Sequence, residues 1–147
     1  MIWKPHVTVA ALIERDGHFL MVEEEDNGRV VYNQPAGHLD EGESLAAAVV
    51  RETLEETAWH FQPQAVTGIY KWLNPLSDIT YLRVCFTGAC DGHDADRPLD
   101  RGIRRALWMT QQELSEVSAQ MRSPMVMRCI KDYLAGRRYP LHLLADL

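Results

Sequence analysis

Apolar and β-branched residues crowd the stretch from His6 to Glu14, and that pattern predicts a strand. Asp16-Gly17 follows it, a dipeptide suited to a tight hairpin turn. His18 to Glu24 alternates well enough to be the return strand. Asn27-Gly28 repeats the turn signal ahead of Arg29 to Tyr32, so the first third reads as an antiparallel meander. Pro35 closes this run, because proline cannot donate to a ladder, and His38 to Glu43 reads as a polar loop. Ser44 is a suitable helix cap, and Leu45 to Ala58 has strong helical composition, with Ala46-Ala47-Ala48 in a row. Leu45, Ala48 and Val49 share a helical face with Glu52, Glu55 and Glu56, while Ala46, Val50, Thr53, Leu54 and Thr57 take the other side. Both sides are apolar enough to bury. The helix is therefore expected to be sandwiched inside the domain, with its acidic end in a cleft.

Ala65 to Leu73 and Ile79 to Thr87 predict two longer strands joined through Asn74-Pro75 and Ser77-Asp78. Asp91 to Arg101 reads as a loop and Ile103 to Met109 as a short strand. Thr110-Gln111-Gln112-Glu113 carries a capping-box signature. Ser123-Pro124 opens a last helix, Met125, Val126, Cys129, Ile130, Tyr133 and Leu134 form its apolar stripe, and Gly136 ends it. The mixture is α+β, with helices layered on sheet. No linker or repeat divides the chain, so residues 1–147 are expected to form one domain.

Charge and composition narrow the functions. A formal net charge of -6 argues against binding a nucleic-acid polymer through its backbone. The apolar run Val7 to Ile13 is too short to span a bilayer. Cys85, Cys90 and Cys129 are scattered and odd in number, which suits reduced thiols and a cytoplasmic location. The histidines lack paired ligand spacing, so zinc is not expected. The run Glu23-Glu24-Glu25-Asp26 reads as a solvated hairpin end. Lys71 and Arg83 read as solvated strand positions, with phosphate contact as the alternative.

One constellation stands apart. Glu52, Glu55 and Glu56 at i, i+3 and i+4 place three carboxylates within about one helical turn. Such acids repel each other, and a hard divalent cation with oxygen ligands is the natural neutraliser.

The spacing Gly37-x5-Glu43-x7-Arg51-Glu52-x2-Glu55-Glu56 resembles the signature box of the Nudix hydrolases at every charged position. Thr53, Ala58 and Trp59 depart from it at packing positions, and Ala58 stands where the family has a glycine. His6 to Ala10, Asn33 to His38, Arg122-Ser123-Pro124 and Arg138 to Leu141 are similar to the bacterial NudJ phosphatase subgroup. The resemblance implies a layered α/β/α sandwich with a mixed, mostly antiparallel sheet. It also implies a hydrolase of phosphoanhydrides in small substrates, using Mg2+ or Mn2+. Nucleoside di- and triphosphates and a thiamine-precursor pyrimidine diphosphate are the implied substrates. By the same analogy Glu52, Glu55 and Glu56 are metal ligands, with the Gly37 carbonyl as an extra one. Glu52 is favoured as the base, with Asp100 as a second candidate that reads more readily as a plain loop acid. Glu43 is expected to pair with Arg51, which fixes the helix. His38, Tyr32 and Trp72 are candidate substrate contacts, each with an alternative as a solvated or packing residue. An ADP-ribose pyrophosphatase, suggested by Pro75, and a nucleotide-sensing module without turnover are the rival readings. The implied partner is a small phosphorylated metabolite, bound by a monomer or small homodimer.

Overall fold

The computed structural model describes residues 1–147. Nine strands and three α-helices alternate in the order β1 (His6–Leu12), β2 (Glu14–Arg15), β3 (His18–Asp26), β4 (Arg29–Asn33), β5 (Ala36–His38), α1 (Leu45–Thr57), β6 (Trp59–Asn74), β7 (Ile79–His93), β8 (Ile103–Thr110), α2 (Gln111–Glu116), α3 (Pro124–Leu134) and β9 (Tyr139–Pro140). A five-stranded sheet runs β5-β1-β7-β6-β9, and a second sheet gathers β2, β4 and β8 around β3. Among the ladders only β1–β7 is parallel.

Local signals hold where they are local. Asp16-Gly17 and Asn27-Gly28 take positive φ at both residues, as a hairpin with right-twisted strands demands. Ser44 accepts from the Ala47 amide at 3.1 Å, and Thr110 and Glu113 complete both bonds of the capping box. The meander is the part that changes. β1 leaves it for the other sheet at Ile13, whose carbonyl accepts from Leu20 at 3.0 Å. Ala36–His38, expected as the close of a strand and the first loop residue, instead forms an edge strand on β1. The pair β6 and β7 is also longer than expected, 16 and 15 residues, with bulges that let it bend.

Period two along β1 and β7 divides the core. Val9, Ala11, Val84 and Phe86 face Ala48 and Val49 of α1, whereas Ala10, Leu12 and Cys85 face Val126, Cys129 and Ile130 of α3. The result is a sheet between two helices. Ala47 is the one exposed residue of α1, so that helix is enclosed as expected. Leu134 is 46% exposed and drops out of the α3 stripe. Asp132 is buried instead, accepting from Tyr70 Oη at 2.8 Å and from Arg128. No helix is long and apolar enough to cross a membrane.

Two charged groups correct the expectation of solvated strands. Glu23 and Glu24 are only 7% and 8% exposed, and they pair with Arg105 and Arg122 at 3.2 and 2.9 Å. Arg83 is 4% exposed and donates to Gln34 Oε1 and Asn33 Oδ1 at 2.9 and 3.1 Å.

Candidate functional site

The acidic end of α1 meets the edge strand β5. The helix exits through Ala58, which adopts φ 62 and ψ 12 and donates to the Leu54 carbonyl. This left-handed exit favours glycine, and holding alanine in it costs about 1 kcal/mol. The departure at Ala58 thus leaves the backbone path intact. The loop between β7 and β8 folds back over the helix, with the Asp100 amide donating to the Glu55 carbonyl at 2.9 Å.

Arg51 organises the acids. Its guanidinium donates to Glu43 at 2.6 and 3.0 Å, to Glu52 at 2.9 Å, to Glu55 at 3.2 Å and to the His38 carbonyl at 3.0 Å. The Asp40 amide in turn donates to Glu43 at 2.8 Å, closing the loop against the helix. The Arg51 hydrogen bonds hold Glu43 below the usual carboxylate range.

The four remaining acids divide. One carboxylate oxygen each from Glu52, Glu55 and Asp100 lies within 4.8 Å of the others. Glu56 turns toward β5, where Oε1 accepts from the Ala36 amide at 2.9 Å. Burial pushes its pKa up to about 9, and Glu24, Glu52 and Asp100 add repulsion. Burial also raises Glu52, against the pull of Arg51, with Glu55 and Asp100 repelling it. Asp100 is raised by burial and then by Glu55. Arg51 alone donates to Glu52 and Glu55, so the cluster is short of positive charge. Oxygen-only ligands of this kind fit a hard divalent cation.

Gly37 is required by contact. A Cβ there would lie 2.1 Å from the Glu52 carboxylate carbon and 2.3 Å from its oxygens. Gly37→Ala is expected to displace Glu52 and to lower turnover about a hundredfold, the scale of a 1 Å misplacement. Circular dichroism of the variant should match wild type; retained turnover would remove the need for this close approach.

Beside the acids lies a cleft of about 420 Å3, within the range of small-molecule sites. Register places its walls. Trp72, Tyr81 and His6 are cross-strand neighbours in one row, and Tyr70, Arg83, Thr8 and His38 form the next row on the same face. The Trp72 and Tyr81 rings are nearly parallel, 19° apart with centroids at 6.1 Å. His6 Nδ1 and His38 Nε2 approach to 3.2 Å. Burial holds His38 below its ordinary range, aided by His6.

Gly37, His38, Glu52, Glu56 and Trp72 line the cleft. Glu55 and Asp100 join Glu52 at its edge, and Glu43 and Arg51 stand behind them. Tyr32 does not line it; its hydroxyl donates to Glu23 at 3.0 Å and its ring packs on the α3-side core. Thr8, Glu24 and Arg122 line the cleft, although the sequence offered none of them as a site residue. Thr8 leaves only a faint signal, a hydroxyl within a β-branched apolar run. Glu24 and Arg122 leave none, because their pairing spans the chain.

Comparison with known proteins places these features in a family. Residues 4–128 match the NUDIX domain model. The chain is 39% identical over 145 residues to Phosphatase NudJ of Escherichia coli K12, covering 99% of this chain and 94% of that protein. A NUDIX hydrolase from Nitrosomonas europaea superposes with a TM-score of 0.96 at 50% identity, covering 98% of both chains. A bifunctional NMN adenylyltransferase/ADP ribose pyrophosphatase from Francisella tularensis, complexed with AMP and Mn, shares the fold at 18% identity and a TM-score of 0.74. The match covers 90% of this chain and 42% of that one. The sandwich, the cleft and the acid-bearing helix therefore belong to a NUDIX hydrolase, and the chain is a member of that family.

Proposed function

We propose that the chain, as one domain over residues 1–147, is a magnesium-dependent pyrophosphohydrolase or phosphatase of small phosphoanhydrides. Nucleoside di- and triphosphates and the thiamine-precursor pyrimidine diphosphate are the favoured substrates, and Mn2+ is the alternative metal. The observation that carries this reading is the convergence of Glu52, Glu55 and Asp100 at the edge of a cleft walled by Trp72 and Tyr81.

Glu52, Glu55, Glu56 and the Gly37 carbonyl would hold the ion. When bound, it supplies Lewis-acid stabilisation of the charge growing on the phosphate oxygens. The chain's own groups do the rest. Glu52, raised by burial and repulsion, takes the proton of the attacking water, with Asp100 as the rival base. Arg51 and Glu43 fix the orientation of those carboxylates. His38 and Trp72 line the cleft, where His38 would contact a phosphate and Trp72 would offer a face to a heterocycle. Three free cysteines, all buried, accord with a cytoplasmic setting, and the size suits a monomer or small homodimer.

The test is turnover on a panel of nucleoside di- and triphosphates, the pyrimidine diphosphate and ADP-ribose, with phosphate and pyrophosphate release scored separately. Magnesium-dependent release from the first two groups, abolished by EDTA and restored by excess magnesium, is the expected result. ADP-ribose as the best substrate would favour the rival hydrolase. Tight nucleotide binding with no release over hours would favour a sensing module.

A further inference from the structure

Two polar atoms in the floor of the cleft have no protein partner. They are Arg83 Nε and Thr8 Oγ1, on side chains that are directly opposite each other across the β1–β7 ladder. Both residues line the cleft, and they are 4% and 7% exposed. Buried polar groups are almost always satisfied, so a neighbouring pair left open needs an explanation. Arg83 is also without a carboxylate, since its two terminal nitrogens are held by the neutral amides of Gln34 and Asn33. Gln34 is itself fixed to α3, donating to the Val126 carbonyl at 2.8 Å. The guanidinium is thus locked at its far end and left open at Nε. The cleft's other arginine, Arg122, is taken up by Glu24.

Position identifies what these donors meet. Gly37 stands two strands away from Arg83, roughly 10 Å across the sheet, and Glu52 packs against Gly37 from α1. The Trp72–Tyr81 pair lies one row along, about 7 Å away. A ligand with phosphates at the acidic end and a ring against Trp72 and Tyr81 turns the edge of that ring toward Thr8 and Arg83.

We infer that Thr8 and Arg83 select the substrate by donating hydrogen bonds to an acceptor on the edge of its heterocycle, a ring carbonyl oxygen or an unprotonated ring nitrogen. This assignment rests on the proposed reading of the cleft as a phosphoanhydride site, and it makes Arg83 and Thr8 specificity residues rather than catalytic ones.

Binding separates the two proposals. The probes are a methylene-bridged, non-hydrolysable CTP analogue and its ringless counterpart, methylene-bridged tripolyphosphate, titrated calorimetrically into the full chain with magnesium. Wild type is expected to bind the ringed probe at least tenfold tighter. Thr8→Val and Arg83→Met should each weaken the ringed probe by about tenfold, the loss of one hydrogen bond to a polar or charged donor, and leave the ringless probe unchanged. Arg83→Met strands two buried amides and is prone to misfold. Thr8→Val keeps the packing volume, removes only an unmet hydroxyl and should melt no lower than wild type. An unaltered ringed-to-ringless ratio in folded Thr8→Val overturns the inference. So does equal or absent binding of the ringed probe by wild type, or an equal loss of both probes in folded Arg83→Met. Failure of the turnover panel would sink the proposed reaction without touching this ratio.

Discussion

Glu52→Gln is expected to lower turnover by about a thousandfold or more while the melting temperature moves by only a few degrees. Glutamine preserves the side chain's volume, and Arg51 keeps its bonds to Glu43, Glu55 and the His38 carbonyl. One negative charge leaves an overcrowded group, so the fold gains as much electrostatically as it loses in one hydrogen bond. Turnover has no such compensation, because the lost oxygen is both the proposed ion ligand and the proposed base. The companion substitution Glu56→Gln separates metal binding from stability. Burial raises the folded pKa of Glu56 to about 9, against 4.5 in a free chain. A raised carboxyl favours the folded state fully below the unfolded pKa, and that advantage is lost as pH rises toward the folded one. Metal-free wild type should therefore melt progressively lower between pH 5 and pH 9. Glu56→Gln should flatten that slope, standing several kcal/mol above wild type near pH 8.5, because glutamine still accepts from the Ala36 amide and never ionises. The same variant should lose turnover with magnesium. Parallel melting curves of the two proteins across that range would show that Glu56 is not held protonated. Undiminished activity of Glu52→Gln would remove the proposed mechanism.

Legibility from the sequence follows range. The caps at Ser44 and Thr110, the turns at Asp16-Gly17 and Asn27-Gly28, and the Arg51–Glu43 pairing all join residues a few positions apart. Their geometry is written in the spacing itself. Buried charges escape that kind of reading. Glu23 and Glu24 look like a solvated tip until Arg105 and Arg122 arrive from 82 and 98 residues away. Arg83 looks like a surface strand residue until Asn33 and Gln34 close over it from 50 and 49 positions back. Asp132 is buried on α3 because Tyr70, 62 residues earlier, meets it. Pairing between elements distant in the chain is the common cause, with antiparallel β3–β8 setting Glu23 against Arg105 and the parallel β1–β7 ladder carrying Arg83. Period two tells which residues share a face of one strand, but not which strand lies alongside. That ladder is also what places Thr8 beside Arg83 and aligns Tyr81 with His6. The chemistry of the cleft was therefore legible along α1, where the acids repeat at helical spacing, and illegible across the sheet, where Thr8 and Arg83 meet. Glu56 is the intermediate case. Its spacing puts it on the acidic face, yet the edge strand β5 turns it away from Glu55.

Arg51→Met is expected to destabilise the metal-free protein by about 3 kcal/mol, the scale of stripping one partner from a largely buried ion cluster. For a domain of this length that corresponds to a fall in melting temperature of roughly 10 °C. The Arg51 side chain is 28% exposed, and it alone holds Glu43, Glu52 and Glu55 together while capping the His38 carbonyl. Methionine keeps much of the aliphatic stem but leaves those carboxylates facing one another. Their repulsion at 4 Å is about 4 kcal/mol per pair at the effective dielectric of a protein surface, before the side chains relax apart. The pH dependence has a definite sign. Glu43 is held below its ordinary range mainly by the Arg51 hydrogen bonds, so its contribution is present above the unfolded pKa and vanishes as pH falls through the folded one. The gap between wild type and variant should be full at pH 7 and close progressively below about pH 4.5. Arg51→Lys should recover only part of the loss, because an ammonium carries the charge but not the fork that reaches Glu43 and Glu52 at once. Magnesium should raise the melting temperature of Arg51→Met more than that of wild type, since an ion among Glu52, Glu55 and Asp100 replaces some of the missing positive charge. A melting temperature within 2 °C of wild type, without metal and at neutral pH, would mean that the acids relax into solvent unaided and that Arg51 organises nothing.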